Sequence, residues 1–315
     1  MTAAKASTTA TDGVTRRQTN GVSKQSATTF QRFDAHDPAT TSSAVVDAIN
    51  HAGGAIVTNL VSADIASQIK ADLAPSFATS HTDASQFFPS TTQRATALFN
   101  HPSYIRLATN PLWISIANAL VSSTYTYFRE NGRTETVTEK PIVSSTVGFR
   151  VLPGGKQQVL HRDDNDYHPH PSILPVMIGC VAALTKTTAA NGATVAIPGS
   201  HLWPSDRFPR NEEAIPAELN PGDAFIFLGN LYHGGGANVT KDEYRETVGV
   251  FMCKPTLRPA ENQFLSVPLE TVKGMSAQAQ RLLGYGVARP GVGFVRYKDP
   301  MREVLGVDDG EVVEL

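Results

Sequence analysis

The stretch "QQVLHRDDNDYHPH", residues 157 to 170, gathers three histidines and three aspartates in its last ten positions. His161 and Asp163 stand two apart after an apolar run. At a strand's end that spacing turns both side chains to one face. An imidazole and a carboxylate so placed suit one metal ion. A second imidazole would complete the 2-His-1-carboxylate set of non-haem Fe(II) oxygenases. His233, at the end of the run "FIFLGNLYHGGG", is the candidate. Taken singly, His161 and Asp163 read as a surface ion pair, because a bare H-x-D is common. Arg245, twelve residues after His233, changes the balance. It opens the run "RETVGVFMC", where a guanidinium can grip a carboxylate such as that of 2-oxoglutarate through two parallel hydrogen bonds. Alone it reads as a strand-end salt bridge.

Such groups need rigid strands to hold them. After residue 140 short β-rich runs follow one another: "PIVSSTVGFRVL", "QQVLHRD", "LPVMIGCVAALT", "ATVAIPGS", "DAFIFLGNLYHG" and "ETVGVFMCKP". Turn signals separate them at Pro153-Gly154-Gly155, Asn191-Gly192, Pro198-Gly199 and Pro221-Gly222-Asp223. Strands at this spacing without intervening helices predict an antiparallel sandwich or barrel. The N-terminal half adds helices. "SSAVVDAINHAGG" is a short one, and "GAIVTNLV" after it is a strand. "SADIASQIKADL" starts at Ser62 with Ile65, Ile69 and Leu73 on one face, and "NPLWISIANALVSS" starts at Asn110 with Pro111 first. "SAQAQRLLG" returns to helix from Ser276 to a stop at Gly284. The reading is one mainly β domain over 29–315, a double-stranded β-helix (jelly roll) over about 140–256 flanked by helices, behind a disordered tail over 1–28.

Composition narrows the function. With 41% hydrophobic residues, 18% charged and a formal net charge of -2, the chain has no electrostatic footprint for nucleic acid or an anionic membrane. No run approaches the roughly 18 apolar residues of a membrane span. Cys180 and Cys253 sit in apolar runs and read as buried thiols of a reducing compartment, so a cytoplasmic protein is expected. The sequon at Asn238 is then idle.

Three motifs in order, "QQVLHRDD", "NGATVAIPGSH" and "LYHGGG", followed by Arg245, resemble the phytanoyl-CoA dioxygenase family of Fe(II)/2-oxoglutarate oxygenases. They look most like its fungal natural-product biosynthetic members. The resemblance implies Fe(II) held by His161, Asp163 and His233, with 2-oxoglutarate and O₂ as cosubstrates. It gives Arg245 the distal carboxylate and sets Gln158 and Thr194 beside the cosubstrate. Strict alternation would turn Gln158 away and favour Gln157, so this carry-over needs a bulge after Gly155. Residues 167–170 read as a lid, with Tyr167 and His168 facing a small, mostly apolar substrate. Phe87, Phe88 and Phe99 of "SHTDASQFFPSTTQRATALF" are expected as apolar walls. His201, in the "IPGSH" turn, reads as structural.

The implied chemistry oxidises a substrate C–H bond while 2-oxoglutarate becomes succinate and CO₂. Hydroxylation, desaturation and rearrangement stay open. Halogenation is disfavoured, because halogenases of this kind lack the carboxylate ligand that Asp163 supplies. The alternatives are a phytanoyl-CoA-like hydroxylase of acyl-CoA, a non-catalytic jelly-roll binding protein and a zinc hydrolase. The first wants a basic patch that the scattered Lys and Arg do not make, and the last does not require Arg245. A homodimer is expected by family analogy.

Overall fold

The computed structural model describes residues 29–80, 90–129, 132–166 and 175–311. The tail over 1–28, Phe87, Phe88, Tyr167 and His168 therefore lie outside the described residues.

After β1 (Arg32–Asp34) comes α1 (Ser42–Ala52), which Thr41 caps by accepting the Ala44 N–H at 3.2 Å. A first helical turn leaves amides unpaired, and such an oxygen satisfies one of them. The helix stops at Gly53, whose φ of 83° favours glycine. A Cβ there would also lie 2.5 Å from Leu231 and 2.6 Å from His201. Next come β2 (Gly54–Thr58) and α2 (Ala63–Thr79), which Ser62 caps and which runs on through Pro75. β3 (Thr92–Ala95), α3 (Pro102–Ala108) and α4 (Pro111–Val121) follow, the last capped by Asn110. β4 (Ser123–Phe128) and β5 (Thr134–Glu139) form a separate hairpin.

The remaining strands are β6 (Ile142–Val151), β7 (Met177–Ala183), β8 (Thr194–Ala196), β9 (Ile215–Pro216), β10 (Ala224–Leu228), β11 (His233–Gly235) and β12 (Arg245–Cys253). Seven strands make one sheet in the order β1-β2-β10-β7-β12-β6-β3, and β11-β8-β9 make a small second sheet. Short helices α5 (Gln263–Ser266), α6 (Leu269–Lys273), α7 (Ala277–Leu282) and α8 (Pro300–Glu303) close the chain. This is the expected jelly roll with flanking helices, a particular case of the sandwich or barrel that the turn spacing predicts. Among the described residues no helix is long and apolar enough to cross a membrane.

The large sheet is buried on both faces, and alternation along its strands feeds two separate cores. Val248, Val250 and Met252 of β12 join Ala224, Ile226 and Leu228 of β10 against α1, α2 and α4. Phe251, Phe225 and Phe227 point the other way, to Ala196, Ala217 and Leu231 on the small-sheet side. Fully burying an apolar side chain contributes about 1.5–3 kcal/mol, so both layers hold β12 firmly.

Several expectations change. "QQVLHRD" is not a regular strand: within it only His161 makes a bridge, to His233. "DAFIFLGNLYHG" splits into β10 and β11, which lie in different sheets. The chain crosses at Gly229, where a Cβ would lie 2.9 Å from that of Met177. The segment before Phe99 is not all loop, since β3 pairs with β6. Phe99 is no pocket wall. It is fully buried in the helix-side core, 5.7 Å from Tyr104. Both cysteines are buried as expected. Asn238 is buried too, and its amide donates to the carbonyls of Val151 (3.1 Å) and Glu243 (2.8 Å), so the sequon is sealed inside.

Candidate active site

His161 and His233 come from segments paired antiparallel. The His161 N–H donates to the His233 carbonyl at 2.9 Å, and the reverse bond is 3.0 Å. Further along, the Gln158 N–H donates to the Gly235 carbonyl at 2.9 Å. Three steps on one segment therefore oppose two on the other, which is a bulge of one residue. Val159 is thrown outward, 85% exposed, and Gln158 turns inward. The Gly235 N–H that the bulge strips of a ladder partner donates instead to Gln158 Oε1 at 2.7 Å. Gln157, which strict alternation favours, points away to Asn211.

The bulge also orients the first imidazole. His161 Nδ1 lies 2.8 Å from the Val159 carbonyl, and His233 Nδ1 lies 3.0 Å from the Leu231 carbonyl. A carbonyl can only accept, so each ring carries its proton on Nδ1 and presents the Nε2 lone pair. Both Nε2 atoms face one carboxylate: His161 Nε2 is 3.4 Å from Asp163 Oδ1, and His233 Nε2 is 3.4 Å from Asp163 Oδ2. Asp163 reaches this place as the first residue of a 3-10 turn, Asp163–Asp166, and not as the next residue of a strand.

An ion bonded at about 2.1 Å to three mutually adjacent ligands spaces their atoms about 3 Å apart. The three candidate ligand atoms all lie within 4.8 Å of one another, so the set fits a single ion. Burial pushes the Asp163 carboxyl up, and His233 and His161 hold it well below the usual carboxylate range when their Nε2 atoms carry protons, a role that a bound ion would take over. Side-chain exposure is 41% at His161, 20% at Asp163 and 7% at His233, so the cluster opens on the His161 side. Behind it the Phe227 ring packs against the His233 ring, tilted by 51° with centroids 4.5 Å apart.

Arg245 is 3% exposed, and among the described residues no carboxylate pairs with it. Its Nη1 donates to Thr247 Oγ1 at 2.7 Å, while its Nε is buried with no partner. Burial lowers its pKa to about 10, which leaves it charged at neutral pH. A buried cation in this state suits an incoming anion. Gly235 keeps the space open: a Cβ there would lie 2.9 Å from Gln158 Oε1 and 3.4 Å from Arg245 Nη2. The register sets Thr194 opposite Gly235 and Ala196 opposite His233, so Thr194 shares their face. The donors and the gap fit the dicarboxylate 2-oxoglutarate.

The structure thus brings His161, Asp163 and His233 together and groups Gln158, Thr194 and Arg245 beside them. Sequence reasoning missed Thr247, although it stands two after Arg245 and so on the same face. It also missed Arg162 and Tyr232, described below. His201 is structural as expected: its Nε2 lies 3.1 Å from the Asn50 carbonyl, and burial above all lowers its pKa.

Comparison with known proteins points the same way. The family described as "Phytanoyl-CoA dioxygenase (PhyH)" matches residues 49–247. "Dioxygenase swnH1" of Arthroderma benhamiae is 44% identical over 55% of this chain and 59% of its own length. "Dioxygenase swnH1" of Metarhizium robertsii is 36% identical over 86% of this chain and 92% of its own. Among solved structures, the epimerase SnoN in complex with Fe³⁺, α-ketoglutarate and nogalamycin RO superposes with a TM-score of 0.53. That match has 19% identity and covers 73% of this chain and 90% of that one, a likeness of fold.

Proposed function

The chain belongs to the phytanoyl-CoA dioxygenase family and is an Fe(II)- and 2-oxoglutarate-dependent dioxygenase; we propose that His161, Asp163 and His233 hold its iron. The observation that carries the assignment is the pair of Nε2 atoms aimed at the two oxygens of one carboxylate. Arg245 takes the distal carboxylate of 2-oxoglutarate. Gln158, its amide oxygen committed to Gly235, offers the N–H₂ group, and Thr194 lines the same face. Tyr167 and His168 contact the substrate, a small and mostly apolar organic molecule. A secondary metabolite is the substrate class proposed, and the relatives that the chain resembles are fungal dioxygenases.

When bound, iron with 2-oxoglutarate and O₂ supplies the oxidising power for a C–H bond, at the expense of succinate and CO₂. The protein's own part is positional. The Val159 and Leu231 carbonyls fix the tautomer and plane of the two imidazoles. Arg245 orients the cosubstrate from a dry pocket, where a charge-assisted pair is strong. Phe227 keeps water from the rear of the cluster. The open His161 side is where substrate approaches.

Residues 29–315 act as one catalytic domain, and a cytoplasmic homodimer is the assembly proposed. Anaerobic protein loaded with Fe(II) and 2-oxoglutarate, screened against candidate metabolites and then exposed to O₂, tests the activity. Succinate release that requires both supports it. Metal-dependent hydrolysis without succinate would replace it.

A further inference from the structure

Arg162 lies between two of the ligands in sequence, is 4% exposed, and takes no part in the chemistry above. Its guanidinium stacks over the Tyr232 ring at 4.2 Å, and Tyr232 immediately precedes the third ligand, His233. Its Nη2 donates to the Ser200 carbonyl at 2.9 Å. The same serine's hydroxyl oxygen accepts the Tyr232 N–H at 2.9 Å. The stack continues outward: Trp203 lies 6.0 Å from Tyr232, and Arg207 lies 3.4 Å over Trp203 while bonding to Glu213 at 2.8 Å.

The first ligand segment is held by few backbone bonds: the pair at the His161–His233 bridge, the Gln158 N–H to the Gly235 carbonyl at 2.9 Å and the Asp164 N–H to the Gly229 carbonyl at 3.2 Å. It is bulged, it makes a single bridge, and it passes at once into a 3-10 turn. Two ligands on such a segment need something else to set their distance from His233. We propose that Arg162 is a positioning residue. With Tyr232 and Ser200 it clamps residues 161–163 to residues 231–233 and so sets the spacing of the three ligand atoms before any ion arrives. The planar guanidinium suits the task, because it can stack on a ring face and hydrogen-bond through its edge at once. Residues that orient metal ligands from behind govern metal affinity by about 10- to 100-fold.

This inference rests on the metal reading above, and the experiment separates the two. Anaerobic Mn(II) titration of the full chain, followed by the electron paramagnetic resonance signal of the free ion, measures affinity. Apo melting temperature is recorded alongside. Arg162→Met and Tyr232→Leu should each weaken Mn(II) by about 10- to 100-fold, and Tyr232→Phe should restore wild-type affinity. The double variant should bind no more weakly than the weaker single one, because either change opens the same clamp. A merely structural role would lower the melting temperature and leave the folded protein's affinity alone. Wild-type affinity in Arg162→Met, or additive losses in the double variant, would overturn the proposal. Should Arg162→Met not fold, Arg162→Lys keeps the charge, loses the planar stack and carries the same test. Wild-type protein that binds no Mn(II), or His233→Ala protein that binds it as well as wild type, overturns the metal reading and this inference together.

Discussion

His161 and His233 are direct partners across an antiparallel bridge, each donating its N–H to the other's carbonyl, at 2.9 and 3.0 Å. Those bonds use backbone atoms only, so removing either imidazole leaves the bridge in place. His161→Ala and His233→Ala are expected to lose metal binding and turnover while keeping the wild-type circular dichroism spectrum. Normal turnover in either variant would take that histidine out of the ligand set.

Metal should stabilise the fold, because it binds the native site and not the unfolded chain. At a free ion concentration about 100 times the dissociation constant the gain is about 2.7 kcal/mol. Chelation should reverse it. His233→Ala should show no response to either treatment, and an equal melting shift in that variant would place the ion elsewhere.

Arg245→Lys keeps the charge and loses the fork, so the KM for 2-oxoglutarate should rise well before iron affinity changes. Arg245→Met removes a buried cation that has no carboxylate partner among the described residues. In the absence of cosubstrate it should therefore be at least as stable as wild type, by up to roughly 1 kcal/mol. It should also lose the melting shift that 2-oxoglutarate gives. A large loss of stability would mean that the guanidinium holds the core together.

Gly235→Ala probes the cradle itself. The added Cβ would crowd Gln158 Oε1 and Arg245 Nη2, at 2.9 and 3.4 Å. The expected result is at least about tenfold weaker 2-oxoglutarate binding, which is about 1.4 kcal/mol, with Mn(II) affinity retained. Unchanged cosubstrate affinity, read by isothermal titration, would move the carboxylate away from Gly235.

Gln158→Leu strands the Gly235 N–H, a loss of about 1–3 kcal/mol in thermal or urea unfolding. Gln158→Glu keeps an acceptor for that bond but sets a carboxylate against the incoming one. The two variants should therefore differ: Leu mainly destabilises, and Glu mainly weakens 2-oxoglutarate. Equal behaviour would dissolve the link between the bulge and the cosubstrate.

What the sequence made legible follows its chemistry. Residue types that can ligate a metal are few, so the candidates His161, Asp163 and His233 stand out by type and order. Arg245 stands out because the apolar run behind it leaves few other tasks for a guanidinium. The bulge was legible only as a requirement: nothing in "QQVLH" says that Val159 turns out, because that depends on which N–H finds which carbonyl. Thr92–Ala95 escaped notice as a strand because Thr-Gln-Arg-Ala lacks apolar alternation, and its pairing with β6 is a tertiary fact. The hairpin of β4 and β5 does carry a signal: Thr alternates with Tyr before Asn131-Gly132 and with Glu and Val after it. Phe99 was misplaced because an aromatic in an irregular stretch looks available, yet Tyr104 and the helix-side core absorb it. Arg162 offers no pattern at all, since its partners Tyr232 and Ser200 lie far along the chain.

The two cores on either side of β12 bear on how such an enzyme diversifies. Consecutive codons of this strand answer to different selective pressures: Val248, Val250 and Met252 to packing against helices, Thr247 and Phe251 to the opposite face, which carries Arg245 and the proposed site. Substitutions on the interior set can retune the reaction chamber while the helix-facing set keeps the chain folded. Drift among the helix-facing residues can adjust robustness without reaching the cosubstrate. A single strand thus gives evolution two nearly independent registers to write in, and related enzymes can differ widely in what they transform while sharing one scaffold.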